Sequence, residues 1–135
     1  MKTVLIVEDN EKIREGLAIL IDGSAGFQCT ETFETAEEAL RRLPAYKPDV
    51  VLMDIQLPRM SGIECVEILK QEHPNIQFMM LTVVEDHELL FRSLEAGATG
   101  YLLKMTAPEK LLESIRELYA GGAPMSGQIA RKLVA

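Results

Sequence analysis

This chain of 135 residues predicts an α/β fold, a five-stranded parallel sheet with helices on both faces, and two patterns carry that expectation. Short runs that are nearly continuously apolar and β-branched recur at residues 4–7, 29–33, 50–53, 78–81 and 101–103. Strands apolar on both sides belong in a sheet covered on both faces, as parallel sheets are. Between and after them, apolar residues return every three or four positions, which predicts five amphipathic helices. These are Ile13, Leu17, Leu20 and Ile21; Ala36, Ala39, Leu40 and Leu43; Ile63, Val66 and Leu69; Leu90 and Leu94; and Leu111, Ile115 and Leu118. Strand and helix alternate, so right-handed crossovers give a (βα)5 chain.

The helix starts are the firmest boundaries. Thr35-x-x-Glu38, Ser61-x-x-Glu64 and Thr106-x-x-Glu109 each have the capping-box pattern, in which hydroxyl and carboxylate satisfy otherwise unpaired amides. Gly23 and Gly26, Gly97, and Gly121-Gly122 lie where helices should stop. The unit so defined ends near residue 122. Residues 123–135 read as a linker followed by a short helix over 128–134, with Ile129 and Leu133 four apart.

The length suits one domain with a real core, and 47% hydrophobic with 26% charged residues is the balance of an ordinary globular protein. A net charge of -7 repels nucleic-acid and lipid phosphates and suits a cation site. No long apolar segment or cleavage site opens the chain, so a cytoplasmic location with no membrane span is expected. Cys29 and Cys65 have no ligand spacing and read as free thiols. His73 and His87 are isolated and read as surface residues.

In a parallel sheet, ligands gather at the carboxyl ends of the strands. Glu8 and Asp9 end the first strand, Asp54 the third, Thr82 the fourth and Lys104 the fifth, so all five should meet on one rim. Clustered carboxylates repel one another unless a cation is present, and hard oxygen ligands suit Mg²⁺. An Asp beside a metal, a lysine and a hydroxyl has the parts for phosphoryl transfer: a nucleophile, charge neutralisation and a hydrogen-bond donor.

The residues Val7-Glu8-Asp9-Asn10, Met53-Asp54-Ile55-Gln56-Leu57-Pro58-Arg59-Met60-Ser61-Gly62, Leu81-Thr82 and Gly100-Tyr101-Leu102-Leu103-Lys104 stand in the order found in receiver domains of two-component response regulators. The chain resembles that family over residues 1 to about 122. The wording around Thr82, Arg92 to Ala98 and Tyr101 to Lys104 is similar to the NarL/LuxR type, whose receivers usually precede a helix-turn-helix domain.

The resemblance implies a flavodoxin-like receiver fold with Asp54 as phosphoacceptor, served by a histidine kinase. It makes Asp9 and Asp54 direct Mg²⁺ ligands, the Gln56 carbonyl a third, and Glu8 a ligand through water. Lys104 would contact the phosphoryl group, and Thr82 would move to bond a phosphoryl oxygen. Tyr101 would turn inward into the vacated space, and Pro58 and Gly62 would shape the loop after the acceptor. Such a domain is a switch that catalyses its own phosphorylation, with output through the last helices and fifth strand and homodimerisation as the expected response.

Gln56 and Val84, two places after the acceptor and the threonine, sit where the family varies and the lifetime of the phosphorylated state is tuned. Many relatives carry a proline after the lysine, with a cis bond, whereas Met105 stands here and a cis bond would cost about 2.5–4 kcal/mol. DNA contact belongs to an effector domain expected outside this chain, because Arg131 and Lys132 are the only basic residues after 122. Two other readings stay open at this level: an aspartate-nucleophile phosphatase, which would want an acid where Gln56 stands, and an interaction module independent of phosphorylation.

Overall fold

In chain order the computed structural model contains β1 (Lys2–Val7), α1 (Glu11–Asp22), β2 (Phe27–Gln28), β3 (Thr32–Phe33), α2 (Ala36–Arg42), a 3-10 turn (Leu43–Tyr46), β4 (Val50–Asp54), α3 (Gly62–Glu72), β5 (Gln77–Thr82), α4 (His87–Ala96), β6 (Gly100–Leu103) and α5 (Pro108–Tyr119). Residues 1–83, 86–125, 127 and 131 are described. Val84 and most of the helix expected over 128–134, with Ile129 and Leu133, lie outside them.

The strands form one parallel sheet in the order β2-β1-β4-β5-β6, with β3 also paired to β1. The run expected at 29–33 is thus two short pieces rather than one strand. The pieces are Phe27–Gln28 and Thr32–Phe33, and residues 29–31 between them leave the ladder, where the Cys29 N–H donates to the Asp22 carboxylate at 3.0 Å; the Thr32 N–H at the start of the second piece donates to the Glu31 carboxylate at 2.9 Å. Both pieces still pair with β1, Lys2 opposite Phe27 and Val7 opposite Phe33.

Alternation along the central strands divides the core in two. Leu5, Val7, Val51, Met53, Phe78, Met80, Tyr101 and Leu103 pack toward α2, α3 and α4, whereas Val4, Ile6, Val50, Leu52, Met79, Leu81 and Leu102 pack toward α1 and α5. Every residue of β4 is buried, as a strand sandwiched between two helix layers requires.

The helix starts bear out the capping signals unevenly. Ser61 makes the full reciprocal box with Glu64. Thr35 caps α2 by accepting from the Glu38 N–H, but the Glu38 carboxylate reaches Glu34 N–H instead of closing the box. Thr106 does not cap at all: its hydroxyl donates to the Leu103 carbonyl at 2.6 Å, and α5 starts from Ala107 with Pro108 in its first turn. Proline is pre-set for that position, which moves the start one residue past the expected box. Gly97 closes α4 in the left-handed conformation, φ 115°, while Gly23 closes α1 at an ordinary φ of -83°.

Candidate functional site

Parallel strands deliver their ends to one side. β1 and β4 are neighbours, and the chain leaves them toward opposite faces, into α1 and α3, opening a crevice where the strand order reverses. Glu8 and Asp9 follow β1 there, Asp54 ends β4, Thr82 ends β5 and Lys104 follows β6.

Carboxylate oxygens of Glu8, Asp9 and Asp54 lie within 4.8 Å of one another. Glu8 is 1% and Asp54 2% exposed, whereas Asp9 is open to solvent. The Lys104 ammonium sits 2.7 Å from Glu8 Oε1 and 3.2 Å from Asp54 Oδ2. Burial first, and the neighbouring Glu8 second, push the Asp54 carboxyl from its ordinary 3.8 up to about 7, against the pull of Lys104 and the Gln56 N–H. Burial works to lower the Lys104 ammonium, but its bonds to Glu8 and Asp54 prevail and hold it above its ordinary value.

One ammonium against three carboxylates leaves negative charge uncompensated. Beyond that ammonium, the buried Glu8 Oε1 and Asp54 Oδ2 have no hydrogen-bond partner among the described residues. A donor set of hard oxygens with surplus negative charge fits a divalent hard cation such as Mg²⁺.

The loop after Asp54 is tied to it. The Gln56 N–H donates to Asp54 Oδ1 at 3.1 Å, and the Gly62 N–H to the Ile55 carbonyl at 2.9 Å. A Cβ on Gly62 would stand 2.0 Å from the Asp54 carbonyl oxygen, so only glycine lets α3 start this close to the strand end. Arg59 takes a left-handed φ of 64°, and the Glu37 carboxylate holds the turn by accepting the Met60 N–H at 3.2 Å beside the Arg59 guanidinium at 3.7 Å.

Two supports of the acidic pair were not foreseen. The Asn10 N–H donates to Glu8 Oε2 at 3.0 Å, and the Arg14 guanidinium donates to the Glu8 carbonyl at 2.9 Å and the Asp9 carbonyl at 3.4 Å. Asn10 also caps α1 by accepting from the Ile13 N–H. Contacts to backbone carbonyls leave no signature in residue type, although an Asn just before a helical pattern is a legible cap.

Thr82 is fully buried, opposite Leu103 in the ladder, and its carbonyl accepts from the Lys104 N–H at 2.8 Å. Tyr101 is 0% exposed, so its ring is already inward in this structure. Its hydroxyl has no hydrogen-bond partner among the described residues, and burial, with a smaller push from Asp86, raises it to about 12. Met105 is exposed, and the Lys104–Met105 peptide is trans. Cys29 and Cys65 are free thiols pushed up by burial to about 11 and 12, which makes them inert. His73 is half-buried at the end of α3, and His87 is exposed against the Phe91 ring. No helix among the described residues is long and apolar enough to cross a membrane.

The sequence profile of the response regulator receiver domain matches residues 4–116. Response regulator GacA of Pseudomonas protegens is 37% identical over 134 residues, 99% of this chain and 63% of its own length. The chain therefore spans under two thirds of that relative. The crystal structure of a LuxR-family two-component response regulator from Aurantimonas sp. SI85-9A1 superposes with a TM-score of 0.92 at 30% identity, over 98% of this chain and 94% of that one. A CheY-like receiver domain protein from Methanospirillum hungatei superposes at 0.83 and 32% identity, covering 89% and 94%. Receiver domains of this kind hold Mg²⁺ at an acidic pocket and interact with histidine kinases. The profile match, the shared fold and the acidic rim at the strand ends agree, and the chain belongs to the response regulator receiver domain family.

Proposed function

We propose that this chain is switched by transfer of a phosphoryl group from a histidine kinase phosphohistidine to Asp54. The observation that carries this reading is the convergence of Asp54 with Glu8, Asp9 and Lys104 in one crevice. An Asp54 carboxylate oxygen attacks phosphorus, the phosphorus–nitrogen bond breaks, and its electron pair leaves on the imidazole. Asp9, Asp54, the Gln56 carbonyl and Glu8 would hold Mg²⁺, which would supply charge neutralisation to the transferring oxygens.

Lys104 has one ammonium between Glu8 and Asp54, so it can turn from the carboxylates to a phosphoryl oxygen with little travel. The Gln56 N–H holds the nucleophile by its side chain, and Gly62, bonded to the Ile55 carbonyl, lets α3 start against the strand end, which orients attack without a separate base. The phosphoryl group of the product carries about -1.5 to -2 charge beside the Thr82 strand end, in place of the single charge of the carboxylate. Thr82 and Tyr101 then bias the face made by α4, β6 and α5, whose partner on phosphorylation is a second copy of the chain.

In this reading residues 1–122 are the receiver and 123–135 lead toward a helix-turn-helix effector domain that contacts DNA, which this chain does not do by itself. The protein works in the cytoplasm. Incubation with a small phosphodonor tests the reading by intact mass: one phosphoryl group should add with Mg²⁺ and none without it. Equal labelling in a divalent-free buffer would sink it.

A further inference from the structure

β6 is the last strand of the sheet and its outer edge would be open. At Tyr101 it is not open. The Tyr101 N–H donates to the Pro124 carbonyl at 3.0 Å, and Tyr101 forms a parallel bridge with Met125. The chain reaches this edge because α5 ends in a tight reversal: the Gly121 N–H donates to the Leu118 carbonyl at 3.0 Å and the Gly122 N–H to the Glu117 carbonyl at 2.9 Å. Gly121 has a φ of 97°, and a Cβ on Gly122 would stand 2.7 Å from Glu117 Cγ. Strand, helix and returning strand make one more crossover unit, laid beside β6.

The contact is small and has a sidedness. Pro124 is buried, and Met125 is half-buried against the core cluster that holds Tyr101, Leu103 and Leu90. Tyr101 therefore carries both ends of a connection. Its backbone holds the returning segment, and its ring is buried on the face that also holds Asp86 near its hydroxyl and Leu90 of α4. Met80 pairs with Tyr101 two residues before Thr82, so the ring, the segment and the strand end at the site share one rigid ladder.

We propose that Pro124–Met125 is a detachable edge strand that docks on β6 when the Tyr101 ring is inward, so that docking and phosphorylation of Asp54 favour the same state. This rests on the reading of Asp54, Thr82 and Tyr101 given above. One hydrogen bond and two small burials are set against the ordering of a three-residue stretch, a balance close enough for a change at the site to tip. Linkage makes the effect reciprocal: if the phosphorylated site strengthens docking, docking strengthens binding of a phosphoryl mimic by the same factor. Pro124 and Met125 are then held against β6 in the phosphorylated state and released more often in the resting one.

The test uses the full chain, its Met125→Asp variant and, as the conservative control, Met125→Leu, with amide hydrogen exchange at Tyr101 and binding of beryllofluoride with Mg²⁺ as the readouts. Without additives, Tyr101 should exchange at least about tenfold faster in Met125→Asp than in wild type, with Met125→Leu like wild type. Beryllofluoride with Mg²⁺ should slow that amide at least about fivefold further in wild type, and Met125→Asp should bind the mimic at least about fivefold more weakly. Equal Tyr101 exchange in wild type and Met125→Asp would overturn the docking, and equal affinity for the mimic would overturn the coupling. Failure of all three proteins to bind the mimic would instead overturn the reading of Asp54 on which the coupling stands.

Discussion

Replacing Asp54 by Asn should stabilise the metal-free protein, and the size of the gain follows from the site. In the folded chain the Asp54 carboxyl is raised from 3.8 to about 7 by burial and by Glu8. Below pH 4 it is protonated folded and unfolded, so the full stability is present. Between about 4 and 7 the unfolded chain gives up the proton and the folded chain keeps it, so stability falls as pH rises, by about 1.36 kcal/mol per pH unit. Above 7 the loss is complete, about 4 kcal/mol at face value, and nearer 2 kcal/mol once water and ions at the open side of the crevice are allowed for.

Asn keeps the shape and the contact with the Gln56 N–H while removing the charge, and Lys104 keeps Glu8 at 2.7 Å. At pH 8 in EDTA, Asp54→Asn should therefore melt roughly 6–12 °C above wild type, and near pH 4 the two should converge. Added Mg²⁺ should raise wild type at pH 8 and close the gap. Melting curves across pH 4–8 check this. A wild-type stability flat over that range, or an Asn variant no more stable than wild type at pH 8, would refute the account of the cluster.

Other variants separate the parts of the site. Gly62→Ala places a Cβ 2.0 Å from the Asp54 carbonyl and 2.9 Å from Met53 Cγ, and should cost about 3 kcal/mol or more, read from the urea midpoint. Asp9→Ala removes the solvent-exposed carboxylate of the three and should weaken Mg²⁺ at least about tenfold in a calorimetric titration while leaving the melting temperature in EDTA within a few degrees of wild type. Thr82→Ala should still accept the phosphoryl group, yet lose the phosphorylation-dependent shifts around Tyr101 that wild type shows by NMR.

The site was legible because its residues stand at strand ends. Once the apolar runs at 50–53 and 78–81 are strands of a parallel sheet, Asp54 and Thr82 must share a rim with Glu8, Asp9 and Lys104, and they do. What escaped notice depends on who takes a backbone group. The strand expected at 29–33 pairs only at Thr32–Phe33, with the Cys29 N–H taken by the Asp22 carboxylate, and the helix expected from Thr106 starts later because Pro108 suits a first turn and the Thr106 hydroxyl is taken by Leu103. Arg14 was invisible for the same reason, since its acceptors are the carbonyls of Glu8 and Asp9. Tyr101 was foreseen as a moving ring, but only packing could show it already inward with Pro124 on its amide.

In the proposed reaction one carboxylate, Asp54, takes the phosphoryl group. Borohydride reduces an acyl phosphate to an alcohol, which converts a phosphorylated aspartate to homoserine and marks the acceptor by mass in a peptide digest. After treatment with a small phosphodonor and Mg²⁺, homoserine should appear at position 54 and at no other carboxylate, with no conversion in Asp54→Asn. Conversion at Glu8 or Asp9 with Asp54 intact, or the same conversion in the absence of Mg²⁺, would contradict it.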